Sequence, residues 1–186
     1  MAEPKVQDSE LVIELLKESH KPLLIKFLSA SKDENEFLHK DSLACQRIRL
    51  NETYLLFKKG NRDKILSYVT LAVGSIKLSP EKDFFGVKIK DKPYRLPSHI
   101  PCMLIGRIAT DKTEQNRGYA SYLVSFAISK AVEKSKLVPF PVLALHAYPG
   151  KIPFYMPFGF EKAFTASKKS ETVCMYMLLF KEAGDL

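Results

Sequence analysis

The stretch from residue 108 to residue 120, IATDKTEQNRGYA, holds the residue types best suited to chemistry in this chain. An apolar segment ends, a short polar loop follows, and a helix opens with the small residues Gly118 and Ala120. The first N–H groups of a helix have no partner within it and lie at the positive end of its dipole, so a diphosphate fits there. Gly118 permits close backbone approach, and Arg117 can add a charge-assisted contact. The alternative is an ordinary strand-to-helix turn that contains a glycine.

Cysteine and histidine chemistry is not indicated by the spacing of these residues. The three cysteines, Cys45, Cys102 and Cys174, are odd in number and far apart, which argues against a disulfide framework and for a reducing compartment. We therefore expect a cytoplasmic protein. The four histidines show no metal-ligand spacing with each other or with the cysteines, so we expect no metal site.

The diphosphate stretch needs a strand before it and a helix after it. Cys102–Ala109 is a nearly continuous apolar run of a strand's length, and Arg117–Lys134 has an apolar face at helical spacing. Val142–Ala147 is a second buried strand, and a strand–helix–strand unit requires a parallel pair. Lys151–Phe158 then fits a short helix, with Gly159 as its stop.

The remaining elements favour antiparallel strands and helices around this unit. We expect a strand over Glu10–Leu16 and a helix over His20–Ala30. A second helix begins near Asp33 or Asn35, either of which can cap it, and runs toward Arg49; its predicted buried stripe is Phe37, Leu38, Ala44, Cys45 and Ile48. A hairpin of Thr53–Lys58 and Ile65–Leu78 and two late strands, Phe160–Phe164 and Val173–Phe180, complete a mixed sheet flanked by helices.

Length and composition limit the number of domains and the kinds of partner. The chain has 186 residues, which suits one domain over residues 1–186. Its net charge of +8 favours an anionic partner, with plain solubility as the alternative. Basic residues recur on the long connection Ser79–Pro101 and near the C-terminus, where they can follow phosphates: Lys82, Lys88, Lys90, Lys92, Arg95, Lys168 and Lys169. No apolar run is long enough to span a membrane, and we expect no membrane partner.

Two motifs together resemble the GNAT-type N-acetyltransferases. Residues 115–120, QNRGYA, are similar to the Gln/Arg-x-x-Gly-x-Gly/Ala signature of that superfamily, and residues 153–160, PFYMPFGF, are similar to its downstream aromatic motif. Both occur in the expected order and between the expected elements. The resemblance implies the GNAT fold, a mixed α/β (α+β) structure. Its central sheet has about six to seven strands, including a splayed parallel pair, and is flanked by helices.

The resemblance also implies a site for acetyl-CoA as co-substrate, without a metal. In that family the pantetheine arm pairs with the strand end, here Ile108, Ala109 and Thr110. The loop that would cradle the diphosphate is Gln115, Asn116, Arg117, Gly118, Tyr119 and Ala120. Phe154 would pack on the cofactor, and Tyr155 would be the general acid for the CoA thiolate. Many relatives carry glycine at the positions of Asn116 and Ala120.

A narrower resemblance spans roughly residues 33–160. It rests on the strand Thr70-Leu71-Ala72-Val73-Gly74-Ser75, the proline-rich approach to residue 101 and the strand Gly106-Arg107-Ile108-Ala109. These are similar to the branch that contains toxin–antitoxin acetyltransferases acting on the α-amine of aminoacyl-tRNA. The resemblance implies that acceptor and a homodimer, and it raises an antitoxin as a candidate partner.

The type of amine is also indicated by a missing side chain. Residues 103–107, MLIGR, carry no carboxylate, whereas many lysine-acetylating relatives have a glutamate base on that strand. An α-amine has a pKa near 7.7–8.0 against about 10.4 for lysine, so it depends less on a base. Water or His146 remains as an alternative proton acceptor.

Two other functions stay open at this point. One is an N-acetyltransferase for a small amine, a peptide or a protein N-terminus, which would show weak salt dependence and no tRNA binding. The other is a non-catalytic acyl-CoA or RNA-binding module, in which Tyr155→Phe would change nothing.

Overall fold

The structure is a computed structural model that describes residues 10–77, 88–89, 92–93, 97–163 and 171–180. Most of the predicted basic connection Ser79–Pro101 and the C-terminal end of the predicted strand Phe160–Phe164 lie outside the described residues. The same holds for the side chains of the basic residues predicted to follow phosphates, namely Lys82, Lys88, Lys90, Lys92, Arg95, Lys168 and Lys169.

Seven strands form one mixed sheet in the order β1-β2-β3-β6-β7-β9-β8, and β4 pairs with β5 separately. The sheet contains a parallel pair and antiparallel ladders such as β1–β2, β2–β3 and β7–β9, which confirms the predicted fold class. The strands are β1 (Leu11–Leu15), β2 (Glu52–Lys58), β3 (Ser67–Lys77), β4 (Lys88–Ile89), β5 (Lys92–Pro93), β6 (His99–Thr110), β7 (Val142–Ala147), β8 (Glu161–Lys162) and β9 (Val173–Leu178).

The chain divides into two compact units. Unit 1 comprises Met1–Ala72 and Ile105–Ser129, and unit 2 comprises Val73–Leu104 and Lys130–Leu186. Three elements have residues in both units: β3, β6 and the long helix α4 (Tyr119–Ser135). Helix α4 lies within two residues of its predicted bounds at each end.

Unit 1 buries an aromatic and aliphatic cluster beneath three short helices. These are α1 (Lys21–Leu24), α2 (Lys32–Glu36) and α3 (Ser42–Arg47), with a π-helical turn, Phe37–Asp41, between the last two. The buried side chains come from β2, β3, α1, the π turn and the segments next to them: Leu16, Leu24, Phe27, Phe37, Leu38, Leu55, Phe57, Ile65 and Tyr68.

The prediction of one helix over His20–Ala30 was wrong, because α1 ends at Leu24. Tertiary hydrogen bonds take the backbone groups that a longer helix would have used. The N–H of Leu28 donates to Asp111 at 3.1 Å, and the carbonyl of Leu28 accepts from the N–H of Lys112 at 2.7 Å. The carbonyl of Phe27 is 2.8 Å from His39 Nε2. Phe27 is buried although it lies outside any helix.

The predicted caps of the next helix, Asp33 and Asn35, were also wrong. Ser31 precedes α2, and its hydroxyl accepts from the N–H of Glu34 at 3.4 Å. Asn35 instead binds Ser29: its Oδ1 accepts from the Ser29 N–H at 2.6 Å, and its Nδ2 donates to the Ser29 carbonyl at 3.2 Å.

The buried stripe predicted for this helix is correct only in its first half. Phe37 and Leu38 are buried, but Ala44 and Ile48 are exposed and Cys45 is half-buried. The π turn adds a residue to the turn and so rotates α3 relative to an uninterrupted α-helix. Ser42 is buried instead, and its hydroxyl donates to the Leu38 carbonyl at 2.7 Å.

Unit 2 holds a second apolar cluster beside β7 and β9. It comprises Ile76, Ile100, Cys102, Val142, Ala144, Ala163 and Tyr176. A short helix, α5 (Ile152–Tyr155), follows β7 and continues as a 3₁₀ turn over Met156–Phe158. Gly159 ends this turn with φ of 92°, which confirms the predicted glycine stop.

Across the described ranges of the chain, no helix has both the length and the apolar character required to cross a membrane.

Candidate active site

Near the end of β6, the backbone groups of alternate residues point to opposite edges of the strand. The Ala109 carbonyl accepts from the Ser67 hydroxyl at 2.7 Å, and the Asp111 N–H donates to the Leu66 carbonyl at 2.9 Å. Backbone groups of successive residues in a strand point to opposite edges. The backbone groups of Ile108 and Thr110 therefore point away from β3, and these two residues are better placed than Ala109 to pair with an extended ligand.

Asp111 organises the loop that follows β6, and the sequence analysis missed this role. Its Oδ2 accepts from the N–H of Leu28 at 3.1 Å. Its Oδ1 accepts from the N–H of Thr113 at 3.0 Å and from the Thr113 hydroxyl at 2.7 Å. The side chain is 7% exposed and lies 3.5 Å from Lys64 Nζ. The sequence does contain a pattern that indicates this role. Asp111 directly follows an apolar strand, and Thr113 stands two positions after it.

These contacts keep Asp111 ionised. Burial by itself would raise the pKa of this carboxyl group. The hydrogen bonds from the Thr113 hydroxyl, the Leu28 N–H and the Thr113 N–H, together with the charge of Lys64, outweigh burial and hold the pKa below its ordinary value. The loop is thus attached through a charged, buried side chain to Leu28, which follows α1, and to Lys64, which precedes β3.

The predicted diphosphate loop contains two residues with left-handed backbone. Asn116 has φ of 61° and Gly118 has φ of 78°, and α4 begins at Tyr119. Asparagine is one of the few residues other than glycine that adopts this conformation readily, so the positive φ at residue 116 does not require a glycine. Of the six predicted loop residues, Gln115, Asn116, Arg117 and Gly118 form the turn before α4, and Tyr119 and Ala120 are the first two residues of that helix.

Charged side chains surround this loop. Glu114 Oε1 lies 2.7 Å from Lys64 Nζ, and Glu114 Oε2 lies 3.2 Å from Arg117 Nη1. The hydrogen bond to Glu114 is the main reason that the pKa of Lys64 is raised. Lys64 was not predicted as a site residue, because it lies on a turn far upstream in the sequence.

The second predicted part of the site lies in unit 2. Tyr155 ends α5 and is 8% exposed. Its ring makes edge contacts with Phe154 at 4.9 Å and with Phe160 at 6.0 Å between centroids. Phe154 also contacts Phe158 at 5.7 Å. The aromatic motif therefore forms a packed set of rings in which the orientation of Tyr155 is held by its neighbours.

The other groups considered from the sequence have different surroundings. His146 is exposed on β7, opposite Cys174 of β9. Burial raises the pKa of the Cys102 thiol to about 11 and also raises the pKa of Cys174. Thiols with raised pKa values are poor nucleophiles at neutral pH. In the described part of the chain, no three His, Cys, Asp or Glu side chains are grouped closely enough to hold a metal ion.

Comparison with known proteins finds similarity in sequence and in fold. No protein-family model matches the chain. It is 26% identical over 140 residues to the tRNA-acetylating toxin of Mycobacterium tuberculosis (strain H37Rv), covering 73% of this chain and 76% of the relative.

Two solved structures have the same fold. One is AtaT complexed with acetyl-methionyl-tRNAfMet, with a TM-score of 0.73, 23% identity, and coverage of 91% of this chain and 95% of AtaT. The other is a tyrosine-to-phenylalanine mutant of AtaT bound to the C-terminus of the antitoxin AtaR and acetyl-CoA. Its TM-score is 0.67, at 20% identity, and the match covers 91% of this chain and 94% of that chain. The GNAT-type fold and the similarity to the toxin branch, both expected from the sequence, are confirmed.

Proposed function

We propose that this protein is an acetyl-CoA-dependent N-acetyltransferase that transfers the acetyl group directly to the α-amine of aminoacyl-tRNA. The observation that carries the proposal is the loop after β6, where Asn116 and Gly118 turn the backbone into the start of α4. A loop that leads into the N-terminus of a helix is suited to binding a diphosphate. A tRNA-acetylating relative, and neighbours of the same fold solved with acetyl-CoA and with an acetylated aminoacyl-tRNA, support the choice of donor and acceptor.

In this proposal the loop residues 115–120 hold the diphosphate. Ile108 and Thr110 pair with the pantetheine arm in the manner of an added strand, and Ala109 lines the same segment. Arg117 supplies charge, with its orientation set by Glu114 at 3.2 Å. Asp111 contributes indirectly, because its contacts with Leu28 and Thr113 determine where the loop begins.

Tyr155 is the proposed general acid, and Phe154 packs on the cofactor. The acceptor amine forms a C–N bond with the thioester carbonyl carbon, and the C–S bond breaks. The Tyr155 hydroxyl supplies a proton to the leaving sulfur, and the new amide loses the excess amine proton to solvent. The support is the packing of Tyr155 between Phe154 and Phe160, which restricts its ring to one orientation.

The remaining features of the proposal concern assembly and location. We propose a cytoplasmic homodimer with an antitoxin as partner. The neighbour solved with the C-terminus of its antitoxin supports the choice of an antitoxin. We also propose that residues 1–186 form a single N-acetyltransferase domain, because three regular elements have residues in both compact units.

The test is transfer of labelled acetyl from acetyl-CoA to charged tRNA. Uncharged tRNA and a mixture of peptides and small amines are assayed beside it. Label on charged tRNA alone, released as N-acetylamino acid on deacylation, is the expected result.

Label on peptides or small amines alone would reject the tRNA acceptor and retain the acetyltransferase activity. Binding of acetyl-CoA without turnover on any acceptor would favour the non-catalytic module.

A further inference from the structure

Residues 103–107 of β6 carry no carboxylate, but a glutamate of α2 places one beside this strand. Glu34 of α2 lies beside Arg107 of β6, with 3.3 Å between Glu34 Oε2 and Arg107 Nη1. The Tyr68 hydroxyl donates to the same Oε2 at 2.8 Å and contacts the Glu34 carbonyl at 2.8 Å. Residues 73 positions apart thus form one cluster within unit 1.

The cluster is rigid on its buried side. Tyr68 is fully buried, and its ring makes an edge contact with Phe27 at 5.4 Å and stacks with Phe37 at 6.4 Å. Burial is the main reason that the pKa of Tyr68 lies far above its ordinary value, with the charge of Glu34 adding to it. Tyr68 therefore remains protonated and donates to Glu34 at any physiological pH.

The other side of the cluster is open to solvent. The side chains of Glu34 and Arg107 are 23% and 35% exposed. The Arg107 guanidinium lies over the Phe37 ring at 4.6 Å, which holds it in place. Both contacts of the carboxylate described above engage Oε2, so among the described residues Glu34 Oε1 has no hydrogen-bond partner.

The position of the cluster along β6 follows from the proposed cofactor site. If the diphosphate binds at residues 115–120 and the pantetheine pairs with Thr110 and Ile108, the arm runs toward the N-terminal end of β6. Each residue of a strand advances about 3.3 Å. The thioester end of the arm then lies level with Gly106 and Arg107, the point at which Glu34 approaches the strand.

We propose that Glu34 is the amine-binding carboxylate of the acceptor site. This inference rests on the proposed acetyltransferase function. Glu34 Oε1 accepts a hydrogen bond from the acceptor amine and directs its lone pair at the thioester carbonyl carbon, while Tyr68 and Arg107 hold the carboxylate still. A charged carboxylate also favours a cationic amine over a neutral hydroxyl group, which gives the site its selectivity for amines.

The proton balance of the step needs no additional reagent. The ammonium form of the acceptor binds through Glu34 and loses one proton to solvent before attack. A second proton leaves the nitrogen for solvent after the C–N bond forms. The thiolate receives a proton from Tyr155, and the Tyr155 oxygen is reprotonated from solvent. Glu34 binds and orients the amine and need not be protonated at any stage.

The experiment compares Glu34→Gln with Glu36→Gln. Both variants remove one negative charge from α2, but Glu36 is exposed and pairs with Lys40 on the adjoining turn. The amide that replaces the carboxylate in Glu34→Gln retains an oxygen that accepts from Tyr68, so the fold is expected to survive. Steady-state kinetics are measured for both substrates, and melting temperature and acetyl-CoA affinity are measured separately.

For Glu34→Gln, kcat/KM for the amine acceptor is expected to fall about 10- to 100-fold, as for loss of a hydrogen bond to a charged group. The KM for acetyl-CoA, acetyl-CoA affinity and melting temperature should match those of Glu36→Gln. Equal kcat/KM in the two variants would overturn the inference. A loss shared by both substrates together with a lower melting temperature would assign Glu34 a purely structural role and would also overturn it.

The proposed function and this inference fail separately. If the wild type acetylates charged tRNA and Glu34→Gln is as active as Glu36→Gln, the function stands and the inference fails. If the wild type acetylates only a small amine or a peptide, the tRNA acceptor fails, and the same comparison with that amine decides the inference. If no amine is acetylated, both fail.

Discussion

At the scale of single residues, the site depends on side chains whose orientation is set by buried contacts. Tyr155 is held by aromatic rings, and Asp111 is held by N–H and hydroxyl donors from two segments. The tyrosine stands in a motif and was identified from the sequence. Asp111 and its partner Leu28 are 83 positions apart, and no local pattern reports a contact of that range.

Replacing Tyr155 by phenylalanine tests its role as general acid. The ring contacts with Phe154 and Phe160 remain, but the proton donor is lost, so kcat is expected to fall about 10²- to 10⁴-fold. Acetyl-CoA affinity, measured by calorimetry, should stay within about twofold of wild type. Tyr148→Phe is the matched control because Tyr148 is 59% exposed. Full activity of Tyr155→Phe would assign the acid role elsewhere.

Replacing Asp111 by asparagine tests the anchoring of the loop. The variant loses a buried charge that accepts three hydrogen bonds, so the free energy of unfolding should fall by about 1–3 kcal/mol at pH 7. The pKa of Asp111 is lowered by folding, so its contribution is present above the unfolded value near 4 and is lost as the pH falls through the folded value.

Urea unfolding between pH 3 and pH 7 measures this effect. The difference between wild type and Asp111→Asn should be largest near neutrality and shrink in acid. Asp63→Asn, at an exposed position, should show no such difference. A difference independent of pH would contradict the assigned charge interaction.

At the scale of elements, the β6–loop–α4 unit was predicted correctly, whereas the α1–α3 region was predicted only in part. β6, α4 and β7 are long and strongly patterned, so their apolar periodicity identifies them. The segments near α1 are short, and their backbone groups bond to Asp111, Lys112 and His39 instead of to one another. The π turn could not be predicted from the sequence either. It changes which residues of α3 face the core, but the apolar periodicity does not indicate it.

The left-handed residue at the centre of the β6–loop–α4 unit can be tested by two substitutions. At φ of 61°, a β-branched residue is strained by about 1–3 kcal/mol, whereas glycine is not. We expect Asn116→Val to bind acetyl-CoA at least about tenfold more weakly than Asn116→Gly. Dissociation constants from calorimetry provide the comparison, and equal affinities would show that the turn does not contribute to cofactor binding.

At the scale of the whole molecule, the testable properties are the net charge and the cooperativity of unfolding. The net charge of +8 belongs to the chain as a whole, and the basic residues of the described part lie on many elements. The division into two compact units was not foreseen from the sequence, which contains no linker-like stretch between them.

Salt dependence separates a polyanionic acceptor from a small one. Neutralising phosphates releases counterions, so kcat/KM for charged tRNA should fall at least about tenfold between 50 and 200 mM salt. The logarithm should be linear in the logarithm of the salt concentration. A short peptide acceptor is the control and should show little change. A flat response for tRNA would contradict recognition through its phosphates.

Unfolding tests the single-domain proposal. Because β3, β6 and α4 have residues in both units, separate unfolding of either unit would break all three elements. We expect one transition that coincides in circular dichroism and in tyrosine fluorescence, the chain having 8 Tyr and 0 Trp. Acetyl-CoA at 100 times its Kd should stabilise the folded state by about 2.7 kcal/mol. Two resolved transitions would show two independent domains.

The sequence by itself determined the features that are local or periodic. These are the buried strands, the helix α4, the glycine stop at Gly159 and the two motifs that carry the resemblance, because each depends on residues that are close together along the chain. Other features depend on long-range contacts, and only the tertiary structure decided them. They are the end of α1, the cap at Ser31, the anchoring of Asp111, and the approach of Glu34 to Arg107. Burial and hydrogen bonding between distant segments set these, and a linear pattern does not encode which distant partner a polar group will find.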